Sequence, residues 1–177
     1  MKSPKDMRVI QIDITNACPH RCSNCTRFCG HHEKSFFMDF DTFKRAVDSM
    51  EGFVGIVGMM GGEPTLHPEF ERFARYLDSK DVPVWIRHVA VPGITDDREL
   101  LYRLGRFLGT LGNVQALEVL PYHTMGLPKY KELGIPYPLE GVPPMEKQAA
   151  ADAREVILKG MRAGQQSCGM PASRVWL

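Results

Sequence analysis

The chain has 177 residues, of which 44% are hydrophobic and 24% are charged, and this composition predicts a globular domain with a sizeable core. Its formal net charge of +1 gives no strongly basic surface, so we expect neither nucleic acid nor an anionic membrane as a partner. No apolar run approaches the ~20 residues of a membrane-spanning helix, and the start of the chain lacks the apolar stretch of a signal peptide. We therefore expect a cytoplasmic protein.

The predicted elements begin with a strand that leads directly into a cluster of cysteines. Residues 8–14 are rich in β-branched side chains and predict a buried strand. Four of the five cysteines follow within twelve positions, at Cys18, Cys22, Cys25 and Cys29. A disulfide framework would spread its cysteines along the chain and would need an oxidising compartment. Clustered thiols favour a metal site, with a zinc knot or unligated loop thiols as the alternatives.

Helices and strands alternate along the rest of the chain. The predicted strands are residues 8–14, 53–60, 82–91 and 114–120, and the predicted helices are residues 39–51, 67–79, 96–111 and 145–162. Residues 121–144, rich in Pro, Gly and Tyr, predict a long ordered loop, and residues 165–177 predict a loose tail. This order predicts an α/β fold of about four βα units with a parallel sheet, in a single domain over residues 1–164.

The spacing of the first three cysteines, C-x3-C-x2-C, is informative. Three thiolates at this spacing can hold three irons of a cubane cluster from one short loop, which leaves the fourth iron open to a small chelating molecule. Structural zinc sites normally close all four positions. The loop also follows directly on a strand, where α/β proteins place their ligands.

This cysteine spacing directly after the first strand resembles the signature of the radical SAM superfamily. The resemblance implies that Cys18, Cys22 and Cys25 ligate a [4Fe–4S] cluster and that the open iron takes the amino and carboxylate groups of S-adenosylmethionine. Asn24 stands where the family usually has an aromatic residue, a departure that changes the predicted contact with the adenine ring.

The remaining cysteine and histidines of the loop have two interpretations. Cys29 would be either a fourth cluster ligand, which would block the open iron, or a spare thiol, and we favour the spare thiol. His31 and His32 could also bind metal, but adjacent side chains on a loop usually diverge, so we do not predict a site there.

A glycine turn follows the second predicted strand, at Gly61-Gly62-Glu63-Pro64. Glycines there let the backbone come close to a ligand, with N–H and C=O groups that can bond to it. In company with the cysteine loop, the turn resembles the motif by which radical SAM proteins hold the methionine amino group. The resemblance thus implies that Gly61, Gly62 and Glu63 bind S-adenosylmethionine.

The second half of the chain resembles the late strands of pyruvate formate-lyase activating enzymes. The resemblance lies in residues 84–89 with Val91-Pro92-Gly93, in Leu120-Pro121-Tyr122-His123, and in Gly134-Ile135-Pro136-Tyr137. It implies that His123 contacts the nucleoside of S-adenosylmethionine. It also implies a radical SAM oxidoreductase that forms a 5′-deoxyadenosyl radical, with a glycyl radical enzyme as partner and a flavodoxin- or ferredoxin-type electron donor.

The predicted fold is an incomplete radical SAM-type partial barrel, because the sequence gives only four of that barrel's six βα units. We interpret this as a junction of two family pieces near residues 70–80. Two other functions therefore stay open: a cluster-binding protein that is catalytically inactive, and a zinc-binding module that uses Cys18, Cys22, Cys25 and Cys29.

Overall fold

The fold is seen in a computed structural model that describes residues 6–19, 27, 29 and 32–169. Its strands are β1 (Val9–Thr15), β2 (Ile56–Gly61), β3 (Val84–Ala90) and β4 (Val114–Pro121). Its helices are α1 (Phe40–Asp48), α2 (Phe70–Ser79), α3 (Arg98–Leu108), α4 (Leu127–Glu132) and α5 (Lys147–Ser167), with one 3₁₀ turn at Pro64–Leu66. The α/β alternation expected from the sequence is confirmed. The strands pair two by two, β1 with β2 and β3 with β4.

Two helical features differ from the sequence prediction. Helix α4 lies inside the segment that was expected to be a loop; Pro128 occupies its first turn, where the missing N–H costs nothing, and Tyr130 is buried. Helix α5 runs to Ser167, five residues past its predicted end at Arg162. Gly164 and Gln165 are buried in that last part, so packing outweighs the low helix propensity of glycine there.

The chain forms two compact units. The first comprises the residues up to Val84 together with Gly126–Pro138, and the second comprises Trp85–Met125 together with the residues from Leu139 onward. The prediction of a single domain over residues 1–164 stays a prediction. None of the described helices is long and apolar enough to cross a membrane.

The first unit is built on the parallel pair β1–β2. The register runs from Val9 opposite Ile56 to Asp13 opposite Met60, with an irregularity between Asp13 and Thr15. Side chains alternate between the two faces of a strand. One face of the pair shares a core with helices α1 and α2; its buried members are Ile12, Ile14, Phe43, Val47, Val57, Phe73 and Leu77. The rings of Phe43 and Phe73 stack at 4.3 Å.

The second unit combines β3 and β4 with helices α3 and α5. Helix α5 packs against both α3 and β4. Gly105 of α3 and Gly109, its C-cap, meet the backbone of α5, and Gly160 and Gly164 of α5 meet the backbone of α3 and its cap. The two helices therefore touch backbone to backbone, an approach that any larger side chain at these positions would obstruct.

Candidate functional site

The two ends of the cysteine loop are joined beside the end of β1. The hydroxyl of Thr15, a fully buried residue, donates to the carbonyl oxygen of Phe36 (2.7 Å) and accepts from the N–H of Ala17 (3.0 Å). The side chain of Asn16 accepts from the Phe36 N–H (2.7 Å) and donates to the Lys34 carbonyl oxygen (3.1 Å). We call these four residues, Thr15, Asn16, Lys34 and Phe36, the loop mouth. None of these four hydrogen bonds involves a cysteine.

The glycine turn packs directly against the chain that enters the cysteine loop. Gly62 donates its N–H to the Thr15 carbonyl oxygen (2.7 Å), and Glu63 donates its N–H to the Ala17 carbonyl oxygen (2.8 Å). A Cβ atom on Gly61 would collide with the Thr15 carbonyl, and one on Gly62 would collide with the Ala17 carbonyl. Gly61 also has a φ of +123°, a value that glycine adopts without strain. Both glycines are therefore required by backbone approach within the protein.

This use of the glycines corrects part of the sequence argument. We expected both N–H and C=O groups of the turn to serve a ligand, but the N–H groups of Gly62 and Glu63 bond to Thr15, the last residue of β1, and to Ala17. The turn still offers acceptors. The Glu63 carboxylate accepts two hydrogen bonds from Thr65 on Oε1, one from the N–H (3.1 Å) and one from the hydroxyl (2.6 Å). Within the described part of the chain its second oxygen, Oε2, accepts none, so the carboxylate suits a ligand amino group, which is a donor.

The returning part of the cysteine loop is fastened to β1 by Arg27. Its Nε donates to both carboxylate oxygens of Asp13 (3.0 and 2.9 Å), and its terminal amino group donates to Oε1 of Gln11 (2.5 Å). Gln11 and Asp13 are alternate residues of β1 and so share the face opposite the apolar core. Both partners of the ion pair remain partly exposed, so it contributes no more than about 1 kcal/mol.

Cys29 lies against the glycine turn. It is only 3% exposed, and its thiol donates to the carbonyl oxygen of Gly61 at a distance of 3.4 Å from Sγ. The sequence argument left Cys29 as either a fourth ligand or a spare loop thiol. The structure shows instead a buried thiol in contact with the motif that was predicted to bind S-adenosylmethionine.

The predicted site residues fall into three groups. Cys18 is half-buried and follows Ala17, so it lies next to the glycine turn of Gly61, Gly62 and Glu63. His123 is exposed and lies two residues past the end of β4, in the second unit. The remaining predicted residues, Cys22, Asn24 and Cys25, lie outside the described part of the chain. His31, for which no site was predicted, also lies outside it.

Within the described residues, His32 and the other potential metal ligands form no metal site. His32 is exposed, with its Nε2 at 3.3 Å from the Arg27 carbonyl oxygen. Among residues 6–19, 27, 29 and 32–169, no three His, Cys, Asp or Glu side chains are grouped to hold a metal ion, and Cys22 and Cys25 are not among those residues.

Sequence reasoning missed Thr15, Asn16 and Arg27. The first two had a visible signal, since they are polar residues at the end of a strand, shortly before the first cysteine. Arg27 had none, because its partners Gln11 and Asp13 are distant in sequence and depend on the path by which the loop returns.

Comparison with known proteins agrees with this geometry. A family model described as the radical SAM superfamily matches residues 12–106, which is more than half of the chain. Three similar proteins carry the name pyruvate formate-lyase-activating enzyme. That of Staphylococcus epidermidis is 39% identical over 143 residues, covering 78% of this chain and 56% of the relative. That of Streptococcus mutans is 56% identical over 84 residues, covering 48% and 32%.

The third, from Listeria monocytogenes, is 52% identical over 85 residues, covering 48% of this chain and 34% of the relative. The chain thus spans about half the length, or less, of the curated relatives it matches. The matched residues 12–106 contain the loop mouth, the cysteine loop and the glycine turn. This chain belongs to the radical SAM superfamily.

Proposed function

We propose that this chain binds a [4Fe–4S] cluster through Cys18, Cys22 and Cys25 and binds S-adenosylmethionine beside it. The observation that carries the proposal is the joint between the cysteine loop and the glycine turn. Two backbone hydrogen bonds, from Gly62 to Thr15 and from Glu63 to Ala17, bring the turn next to the first cysteine. A cofactor held by the loop would therefore meet a ligand held by the turn.

The residues of the site fit such a ligand. When bound and reduced, the cluster supplies the electron that breaks the C5′–S bond of S-adenosylmethionine, giving methionine and a 5′-deoxyadenosyl radical. The carbonyl groups of Gly61 and Gly62 and the Glu63 carboxylate would accept hydrogen bonds from the methionine amino group. Asn24 and His123 would contact the nucleoside. The bonds of the loop mouth would hold the start of the cysteine loop at the end of β1 before any ligand arrives.

The proposed partner is a glycyl radical enzyme, on which the chain would act as an activase. Support comes from the relatives, which are named pyruvate formate-lyase-activating enzymes and reach 39% identity over 78% of this chain. A flavodoxin- or ferredoxin-type protein would be the electron donor.

A second function is favoured by one specific observation. The described part of the chain contains four strands, against the six βα units of the radical SAM barrel. A protein that binds the cluster but does not cleave S-adenosylmethionine would agree with this observation. A zinc module remains a third alternative.

One experiment separates the three functions. The protein is reconstituted anaerobically with iron and sulfide, its metals are quantified, and its electron paramagnetic resonance spectrum is recorded after reduction, with and without S-adenosylmethionine. We expect a [4Fe–4S]⁺ signal that changes when S-adenosylmethionine is added, together with the release of 5′-deoxyadenosine. A cluster signal that does not respond would favour the inactive cluster-binding protein, and zinc without sulfide would favour the zinc module.

Matched cysteine variants test the ligand assignment. Cys22→Ala should lose the cluster, whereas Cys168→Ala, at an exposed residue at the end of α5, should retain it. Retention of the full iron and sulfide content by Cys22→Ala would contradict the proposed ligand set.

A further inference from the structure

The peptide group between Gly61 and Gly62 is held from both sides. Its N–H, on Gly62, donates to the Thr15 carbonyl oxygen of β1 (2.7 Å). Its carbonyl oxygen, on Gly61, accepts from the thiol of Cys29 (3.4 Å). Because both polar groups are engaged, the plane of this peptide is fixed between the strand and the returning part of the cysteine loop.

The contact at Cys29 still leaves room for a ligand on the same carbonyl. A carbonyl oxygen has two lone pairs, and a thiol is a weak donor that occupies one of them. The second lone pair can accept from an ammonium group, which forms a stronger, charge-assisted bond. Cys29 is buried, and Arg27, two residues earlier, forms an ion pair with Asp13 of β1.

We infer that Cys29 is a positioning residue, whose thiol orients the Gly61 carbonyl to accept the methionine amino group of S-adenosylmethionine. The inference rests on the proposed function and adds to it. Cys29 acts through Gly61 and does not ligate the cluster. It also makes the cysteine loop and the glycine turn one unit, because a shift of the loop at Cys29 moves the carbonyl that the ligand meets.

The first readout needs no cofactor. Amide hydrogen exchange at Gly62 is measured by nuclear magnetic resonance in the protein without cluster, because this N–H belongs to the peptide that Cys29 holds. We expect Cys29→Ala to raise the Gly62 exchange rate about tenfold, with no change at amides in the core of α2. Cys29→Ser keeps a donor and should stay close to wild type, and so should the control Cys168→Ala.

The second readout is the binding of S-adenosylmethionine to the reconstituted, oxidised protein, measured by equilibrium dialysis with the labelled compound. We expect Cys29→Ala to keep the iron and sulfide content of wild type and to bind about five- to tenfold more weakly, as for the loss of one oriented hydrogen bond. Cys29→Ser should recover most of the affinity, and its folding keeps the test valid should Cys29→Ala not fold.

Three results would overturn the inference. Loss of iron and sulfide in Cys29→Ala would make Cys29 a cluster ligand. A lower melting temperature with unchanged Gly62 exchange and unchanged affinity would make it a packing residue only. If Cys29→Ser did not recover affinity for S-adenosylmethionine, hydrogen-bond donation from residue 29 to the Gly61 carbonyl would not be what supports binding. Wild-type protein that binds no S-adenosylmethionine would overturn the proposed function itself, and the Gly62 exchange rate would then decide alone whether Cys29 fixes the peptide.

Discussion

At the scale of single residues, Thr15 has the most demanding position in the site. Its hydroxyl is fully buried and serves two backbone groups, the Phe36 carbonyl and the Ala17 N–H. Replacement by valine keeps the shape and removes both bonds. We expect Thr15→Val to lower the free energy of unfolding by about 1–3 kcal/mol, because it leaves buried polar groups without a partner. Urea unfolding followed by circular dichroism measures this difference.

The control for Thr15 is Thr110, whose hydroxyl makes one local bond to the Phe107 carbonyl oxygen (2.8 Å). Thr110→Val should cost less than about 0.5 kcal/mol, as is usual for substitutions away from a special feature. If the two variants lost the same free energy of unfolding, the hydrogen bonds of Thr15 in the loop mouth would contribute no more to stability than the local bond of Thr110.

A second residue-scale prediction concerns Asp48 and the pH dependence of stability. Lys44 (2.5 Å), the Tyr76 hydroxyl (2.5 Å) and Lys80 (3.1 Å) surround its carboxylate. Hydrogen bonds from Lys44 first, then from Tyr76 and Lys80, hold the pKa of Asp48 well below its usual value. Folding thus favours the charged form. The stabilisation is present above the ordinary pKa of 3.8 and is lost as the pH falls through the lower folded value.

We therefore expect Asp48→Asn to be less stable than wild type near pH 7 and to approach wild type in acid. Urea midpoints between pH 7 and the lowest pH at which the protein folds would test this, with the exposed Glu51→Gln as control. Hydrogen bonds to Asp48 also raise the pKa of Lys44 and Lys80. The stability that these two lysines contribute is fully present below their ordinary pKa of 10.5, and it is lost only as the pH rises through their higher pKa in the folded protein. A stability difference that did not depend on pH would contradict the prediction.

The residues that sequence could predict and those that it could not differ in the range of their contacts. The three cysteines proposed as cluster ligands and the glycine turn are each defined by a short spacing, which can be recognised directly in the sequence. The roles of Arg27 and Cys29 depend on partners 14 to 32 residues away. Those contacts exist only once the loop has returned to β1, so no local pattern indicates them.

At the scale of elements, the packing of α3 on α5 depends on small residues. A Cβ atom on Gly160 would collide with the Tyr102 carbonyl of α3. Alanine gains about 1 kcal/mol of helix propensity over glycine, but overpacking against a backbone atom costs about 1–3 kcal/mol, so the collision outweighs the gain. We expect Gly160→Ala to lower the free energy of unfolding, as measured in urea.

Lys159→Ala provides the matched control for Gly160→Ala, because Lys159 is the exposed neighbour in the same turn of α5. Its effect should stay within about 0.5 kcal/mol of wild type. If Gly160→Ala were more stable than wild type, α3 and α5 could move apart without a cost in free energy, and their close approach would not contribute to stability.

The helices and strands were largely predictable because the hydrophobic side chains in each recur at the spacing typical of that element. Helix α1 begins after Asp39, whose side chain accepts from the Thr42 N–H (2.8 Å), and it lies within the predicted range 39–51. Helix α4 was missed because Gly126 and Pro128 are typical of a turn, and only the burial of Tyr130 shows what holds the helix in place.

At the scale of the whole molecule, the described part of the first unit has an apolar core cluster and a set of loop-mouth hydrogen bonds that contain no cysteine. The core of β1, β2, α1 and α2 is apolar, and the loop mouth is closed by Thr15 and Asn16. Metal sites often supply the folding free energy of small proteins, which are unfolded without the ion. Because the core and the loop-mouth bonds contain no cysteine, we expect this protein to fold without metal and to bind the proposed cluster afterwards.

We therefore expect the protein without cluster to keep its helical far-ultraviolet circular dichroism spectrum and to melt cooperatively. Reconstitution should raise the melting temperature by at least about 3 °C, because a cofactor that binds only the native state stabilises it by mass action. Cys22→Ala should match wild-type protein without cluster and should gain nothing from reconstitution. An unfolded protein without cluster would contradict this prediction, because the loop mouth and the apolar core would then be too weak to hold the unit together, and the glycine turn could not be in place before the cofactor binds.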